Sequence, residues 1–211
     1  MRVLVACEYS GRVSAAFRER GHTAWSCDLE PTDGDEDWHW QGDAIRFARG
    51  HQWDLLIAHP PCTFLTNAGA RWFYHPDDTA LPKSVRRVHP DYPDRWRHRD
   101  EAVEFFRELQ ALPIQRKCIE NSLMSRYGTE RVGKMTQRVQ PWMFGEPFTK
   151  GACLWLEDLP LLVPTHTMDH WEQTNTALTA ACHMESPGPD RWKRRSTTYQ
   201  SIATAMAEQW G

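Results

Sequence analysis

RVLVACEYSGRVSAAFRERGHTAWSCD, residues 2–28, decides the fold. Residues 2–7 (RVLVAC) are a short apolar run with β-branched residues, the pattern of a strand buried on both faces. Glu8-Tyr9-Ser10-Gly11 breaks it with a polar turn. Val13, Ala16, Phe17 and Arg20 then recur at helical spacing, and Gly21 supplies a stop. Residues 23–28 (TAWSCD) predict a second strand that ends on an acid. Strand, turn, helix and strand within about 30 residues make a βαβ unit, the opening of a doubly wound sheet.

The rest of the chain extends this pattern. Residues 53–58 (WDLLIA) predict a third buried strand, stopped by His59-Pro60-Pro61. Residues 66–99 mix Pro, Asp, His, Arg and Trp without a period, and read as a long loop. Loops of that length in compact domains are usually functional or disordered. Ala102, Phe105, Phe106, Leu109 and Leu112 mark an amphipathic helix, and residues 117–120 (KCIE) a short strand. Residues 137–142 and 152–156 predict further strands, 164–196 are irregular, and Tyr199, Ile202, Ala205, Met206 and Gln209 predict a final helix. Strands alternating with helices give an α/β class with a doubly wound, mostly parallel sheet. At 211 residues, one domain with a single core is expected over 1–211.

Composition sets the surroundings. No run of 18 apolar residues is present, so no membrane span is expected. The apolar stretch over 3–7 is too short for the core of a signal peptide. Six scattered cysteines do not make a disulfide framework, and reduced thiols in a cytoplasmic protein are expected. A net charge of -3 excludes coating nucleic acid by bulk charge. The charges are uneven, however. Seven acids and no Lys or Arg occupy 28–43, six Lys/Arg lie in 83–99, and Arg191, Lys193, Arg194 and Arg195 form a second basic knot. Such segments either follow a phosphate backbone or are solvated loops.

In doubly wound sheets, ligands bind beyond the carboxyl ends of the strands. There the sequence places Glu8, Tyr9, Ser10 and Gly11; then Asp28; then His59-Pro60-Pro61-Cys62-Thr63; then Glu120, Asn121 and Ser122. A glycine turn before a helix suits a nucleotide-like ligand, and a strand-end acid suits ribose hydroxyls. The turn is not G-x-G-x-x-G, so an ordinary turn with a solvated Asp28 fits equally. Pro60-Pro61-Cys62 is more informative. Two prolines would hold the thiol rigidly at the ligand face, and a thiolate is a strong nucleophile. Cys7, Cys27, Cys118 and Cys153 lie in apolar runs and read as structural. Cys182-His183 has no second pair at metal spacing, so no metal is expected.

The order Ser10-Gly11, Asp28, Gly42-Asp43, Pro60-Pro61-Cys62, Glu120-Asn121 resembles the catalytic domain of DNA cytosine-5 methyltransferases. Gln137-Arg138-Val139-Gln140 looks like their Gln/Arg strand, and 197–210 is similar to their final motif, which returns to the cofactor site. The chain also looks like short phage and prophage members of that family, most of all over 142–164. It departs from the pattern in Arg12 of the first motif, in Thr63 after Cys62, in Ser122 after the Glu-Asn pair and in Thr197-Thr198-Tyr199. Only the short 164–196 segment stands where a target-recognition domain is usual.

The resemblance implies a Rossmann-like, S-adenosylmethionine-dependent enzyme that methylates C5 of cytosine in DNA, flipped from a duplex or in a single strand. It implies Cys62 as the nucleophile at C6, Glu120 at N3 and the amino group, Asn121 as support of the Cys62 loop and Arg138 at the carbonyl. Glu8, Tyr9, Ser10, Gly11, Leu29, Ala44, Pro60 and Thr198 would line the cofactor, with Asp28 at the ribose and Asp43 at the adenine. The 66–99 loop would close over the catalytic site. Its Arg71, Trp72, Arg86, Arg87, Arg95 and Arg97, with Arg194 and Arg195, would touch DNA. A partner protein would supply further sequence recognition. The implied setting is a bacterial or bacteriophage-infected cell, in restriction-modification. Three other readings stand beside this one. An amino-methyltransferase would need a polar residue and an aromatic around the two prolines, where His59 and Cys62 stand. The others are a same-fold enzyme acting on a free pyrimidine nucleotide and a non-catalytic DNA-binding relative with an anti-restriction role.

Overall fold

The computed structural model describes residues 1–166, 186–189 and 191–211. Most of the 164–196 segment, Cys182-His183 included, lies outside the described residues. The strands are β1 (Arg2–Ala6), β2 (Thr23–Asp28), β3 (His39–Gln41), β4 (Leu55–Ala58), β5 (Arg116–Asn121), β6 (Gln137–Val139) and β7 (Ala152–Glu157). They form one seven-stranded sheet in the order β3-β2-β1-β4-β5-β7-β6. Every pair from β3 to β5 is parallel, and β7 runs antiparallel between β5 and β6. This mixed, mostly parallel order with alternating helices is the Rossmann-like fold of S-adenosylmethionine-dependent methyltransferases.

The strand sequences explain the layers. Side chains alternate faces along a strand. Val3, Val5, Leu55 and Ile57 therefore point to one side, and Leu4, Ala6, Leu56 and Ala58 to the other. Helices α1 (Arg12–Glu19) and α6 (Gln200–Trp210) cover the first side with Phe17, Ile202, Met206 and Trp210. Helices α2 (Ala44–Arg49), α3 (Arg95–Gln110) and α4 (Arg126–Val132) cover the second with Ile45, Phe47, Phe106, Leu109 and Val132. A short helix α5 (Arg191–Ser196) precedes α6. Phe106 is fully buried with its ring edge-on to Trp155 at 5.2 Å. Phe106→Ala should cost about 3–5 kcal/mol of stability. A urea titration checks this as a lower midpoint at unchanged slope.

Three expectations change, the first being that residues 191–196, expected to be irregular, form α5. The helix expected from Ala102 begins at Arg95, so the preceding loop ends at residue 94. Arg95 occupies a position on the buried face where an apolar residue would be legible: its guanidinium lies 5.0 Å from the rings of both Phe64 and Phe73. The strand expected over 137–142 stops at Val139, because Pro141 opens a 3-10 turn over Pro141–Phe144. Elements β3, α2 and α4 had no sequence signal of their own. The first has three residues, the second six, and the third contains Tyr127-Gly128-Thr129, all poor helix formers.

Candidate active site

The sheet order reverses between β1 and β4, so the crevice lies at their carboxyl ends. Chain direction changes at once after β1, where Cys7 has φ 57°. Glu8 follows, buried, and its carboxylate accepts from Val13 N at 2.6 Å and Ser14 N at 3.2 Å. It thereby satisfies two free amides of the first turn of α1. Burial pushes the Glu8 carboxyl up, against the pull of nearby His59. Gly11 sits at φ 67°, and a Cβ there would stand 3.3 Å from Gly34 Cα. The Tyr9 carbonyl accepts from Asp33 N and from Thr32 Oγ1, which lays the acidic loop on the first turn.

The other residues expected around the cofactor gather here. Asp28 Oδ1 accepts from Glu30 N at 3.0 Å, and burial raises the Asp28 carboxyl. Leu29, beside it, is 74% exposed. Asp43 caps α2, its Oδ1 accepting from Arg46 N at 2.7 Å, and Ala44 behind it is buried. Burial, and the charges of Asp28, Cys27 and Asp43, push the Cys7 thiol far up. The C-terminal segment returns to the same turn. Tyr9 Oη donates to Lys193 O at 2.6 Å and lies 2.7 Å from Thr197 Oγ1, and Arg12 donates to Thr198 O. Thr198 shares a cavity with Glu120, Lys150, Ala152, Tyr199 and Met206. No sequence signal marks Lys150, while Tyr199 belongs to the Thr197-Thr198-Tyr199 motif and to the spacing of the final helix.

The Pro-Pro-Cys segment is fixed from both sides. His59 N donates to Ala6 O at 2.9 Å, continuing the ladder past β4. Asn121, 1% exposed, donates from Nδ2 to Pro60 O at 2.8 Å. Cys62 is half-buried and opens a turn, its carbonyl accepting from Leu65 N and Thr66 N. The chain beyond it is stapled to the loop after Asn121: Asn67 N donates to Leu123 O, Asn67 Nδ2 to Met124 O, and Ser125 N to Leu65 O. His59 Nδ1 stands 3.2 Å from Glu120 Oε2. Arg138 on β6 pairs with Cys153, which pairs with Asn121, so the three share one rung of the sheet. The Arg138 guanidinium lies over Gly151, where a Cβ would stand 2.7 Å from it and require the arginine to shift.

The basic loop divides into structural and exposed cations. Three of the arginines expected at DNA hold the loop itself together, and Arg97 is paired on the surface with Asp94 and Glu101. Arg95 is buried and donates to Thr63 O and Gly69 O. Arg86 donates to Leu81 O and Thr79 O. Arg87 binds Asp78 through Nη2 at 2.6 Å and through its backbone N at 2.8 Å. These three brace the 66–94 loop. Arg71, Trp72, Arg97 and Arg194 are exposed, with Arg71 over the Trp72 ring at 4.6 Å, and Arg195 is half-buried. The Arg87 guanidinium holds the Asp78 carboxyl at about 2, below its ordinary 3.8. A depressed acid stabilises above its ordinary value and loses that contribution as pH falls through about 2. Limited proteolysis should therefore open this loop near pH 2 and not near neutrality, and Asp78→Asn should open it at both.

Among the described residues no group of His, Cys, Asp and Glu stands at metal-binding geometry, and no helix is long and apolar enough to cross a membrane. Neither a protein-family model nor a curated protein matches the chain. Solved structures do. One is described as a DNA modification methyltransferase encoded within an Escherichia coli prophage, with 13% identity, TM-score 0.45, and coverage of 80% of this chain and 52% of that one. A second is the Entamoeba histolytica methyltransferase EhMeth, with 13% identity, TM-score 0.47, and coverage of 80% and 57%. A third is a Spodoptera frugiperda DNMT2 mutant, with 12% identity, TM-score 0.39, and coverage of 79% and 54%. The chain thus spans just over half the length of the structures it matches.

Proposed function

We propose that this protein methylates C5 of cytosine in DNA, using S-adenosylmethionine as methyl donor and Cys62 as nucleophile. The observation that carries this reading is the hydrogen bond from Asn121 to Pro60 O. It ties the Glu120-Asn121 strand end to the Pro-Pro-Cys turn, which supports a reading in which the Cys62 thiol and the Glu120 carboxyl face the same base. A half-buried acid beside an exposed leucine offers an acceptor and an apolar face, as an adenosine group requires, so Asp28 and Leu29 fit the donor. Ser10 and Gly11 would hold its methionine portion. S-adenosylmethionine, when bound, supplies the transferable methyl group.

The chain's own residues account for activation of the base. Cytosine C5 is a poor nucleophile. Addition of the Cys62 thiolate to C6 forms a carbon–sulfur bond and moves an electron pair toward C5 and N3. Glu120 meets that developing charge with a hydrogen bond and its proton at N3. Arg138 would contact the ring carbonyl. C5, made nucleophilic, would take the donor's methyl group; loss of the C5 proton to water or another base then re-forms the 5,6 double bond as the carbon–sulfur bond breaks and the thiolate is regenerated.

In this reading 1–211 is one catalytic domain, and the loop after Cys62 closes over a flipped base. The 164–196 segment stands in place of a recognition domain, so sequence choice falls to a partner protein or to one or two flanking bases. Arg71, Lys83, Arg97 and Arg194 would follow phosphates. If each neutralises one, DNA affinity should fall with salt at a log–log slope of about -3 to -4. Salt-insensitive binding would remove the phosphate contacts. The deciding experiment is mass spectrometry of nucleosides from DNA incubated with the protein and labelled donor, with dCMP in parallel. Label in 5-methyldeoxycytidine from DNA supports the proposal. Label only in free dCMP transfers it to the nucleotide, and label in neither overturns it.

A further inference from the structure

His59 stands at the centre of the crevice, and the methyl-transfer scheme does not yet use it. Its side chain is 9% exposed and Glu120's is 22%. Nδ1 lies 3.2 Å from Glu120 Oε2, while Nε2 is buried and without a partner among the described residues. Its backbone is fixed on both sides, by the bond to Ala6 O and by Pro60. Within hydrogen-bond distance the ring has one polar partner among the described residues, the Glu120 carboxyl, while the buried Glu8 lies near enough for the two charges to interact.

We infer that His59 is a positioning residue for Glu120, donating from Nδ1 to Oε2 so that Oε1 is the oxygen turned toward the cytosine edge. This inference rests on the proposed cytosine chemistry and adds a residue to it. With the Glu120 proton on Oε1, Oε2 is the carbonyl oxygen and accepts, so the ring hydrogen belongs on Nδ1. The proton balance is simple. Glu120 begins protonated on Oε1 and gives that proton to N3 as sulfur adds to C6. The carboxylate left behind takes the existing Nδ1–H bond as a charge-assisted one, which strengthens as the proton leaves. The proton returns from N3 to Oε1 when the thiolate is expelled. His59 itself neither gains nor loses a proton.

The test uses two amides of different reach. Asparagine places its N–H₂ where imidazole carries Nδ1, and glutamine places it near Nε2. His59→Asn should keep kcat within about fivefold of the native enzyme, and His59→Gln should lower kcat by about 10- to 100-fold with KM for DNA unchanged, the size expected for a hydrogen bond to a charged group. A role in packing alone predicts the reverse order, since glutamine is closer to histidine in length. Equal rates for the two variants, or a faster Gln variant, would overturn the inference, as would a rise in KM for DNA at unchanged kcat. Trapping on DNA containing 5-fluorocytosine separates this failure from that of the cytosine reading. If the native protein forms no Cys62 adduct, the underlying reading fails; if it forms one and the Asn and Gln variants turn over alike, only the role of His59 fails.

Discussion

Cys62→Ala is expected to abolish methyl transfer while leaving S-adenosylmethionine affinity and thermal stability unchanged. Alanine keeps the Pro-Pro turn, the carbonyl that accepts from Leu65 N and Thr66 N, and the Asn121–Pro60 bond. It removes only the sulfur, which belongs to neither hydrophobic cluster. No other described cysteine replaces it. Burial pushes the Cys27 thiol up to about 12, and it raises Cys7, Cys118 and Cys153 as well. The loss should be on the order of 10⁴-fold or more, as for removal of other covalent nucleophiles. Fluorine at C5 cannot leave as a proton does, so DNA containing 5-fluorocytosine should give a denaturant-resistant adduct with the native protein and none with the variant. Full activity in the variant would end the covalent scheme.

Glu120→Gln has the second largest expected effect. Glutamine keeps the volume and a contact with His59, but it cannot give up a proton to N3 or hold the charge left afterwards. Removing one such stabilising group costs about 3 kcal/mol, or roughly a hundredfold in kcat. Cofactor binding should weaken far less than the rate, because Asp28 and Asp43 stand at the ends of β2 and β3, and of the residues expected at the cofactor only Thr198 shares a cavity with Glu120. Single-turnover rates at saturating donor measure this directly. A rate equal to the native one would show that Glu120 serves structure alone.

The opening βαβ unit was legible because each of its parts carries a separate signal: a continuous apolar run in β1, three-four spacing in α1, and a glycine at the stop. The pairing of Pro60 with Asn121, 61 residues apart, was legible as chemistry and not as geometry. Parallel pairing of β4 with β5 brings those strand ends together. His59 was illegible because a histidine before two prolines at a strand end reads as a stop. The arginines show the same limit. Charge in a sequence does not distinguish Arg71, which faces solvent, from Arg95, whose guanidinium replaces an apolar side chain beneath Phe64 and Phe73. The start of α3 was lost for that reason too.

Tyr9 meets Lys193 and Thr197 across 184 and 188 residues of chain. Closing so long a span costs entropy that shorter pairings avoid, and contacts of this kind form late. Phe17 is covered only once Met206 and Trp210 are in place. In the proposed reading the donor pocket is incomplete until then. A ligand that recognises only the closed turn binds only the finished chain, and at a hundred times its dissociation constant it stabilises that state by about 2.7 kcal/mol. Cellular S-adenosylmethionine would in this way act as a late folding ligand, protecting completed molecules from proteolysis and leaving shortened ones exposed.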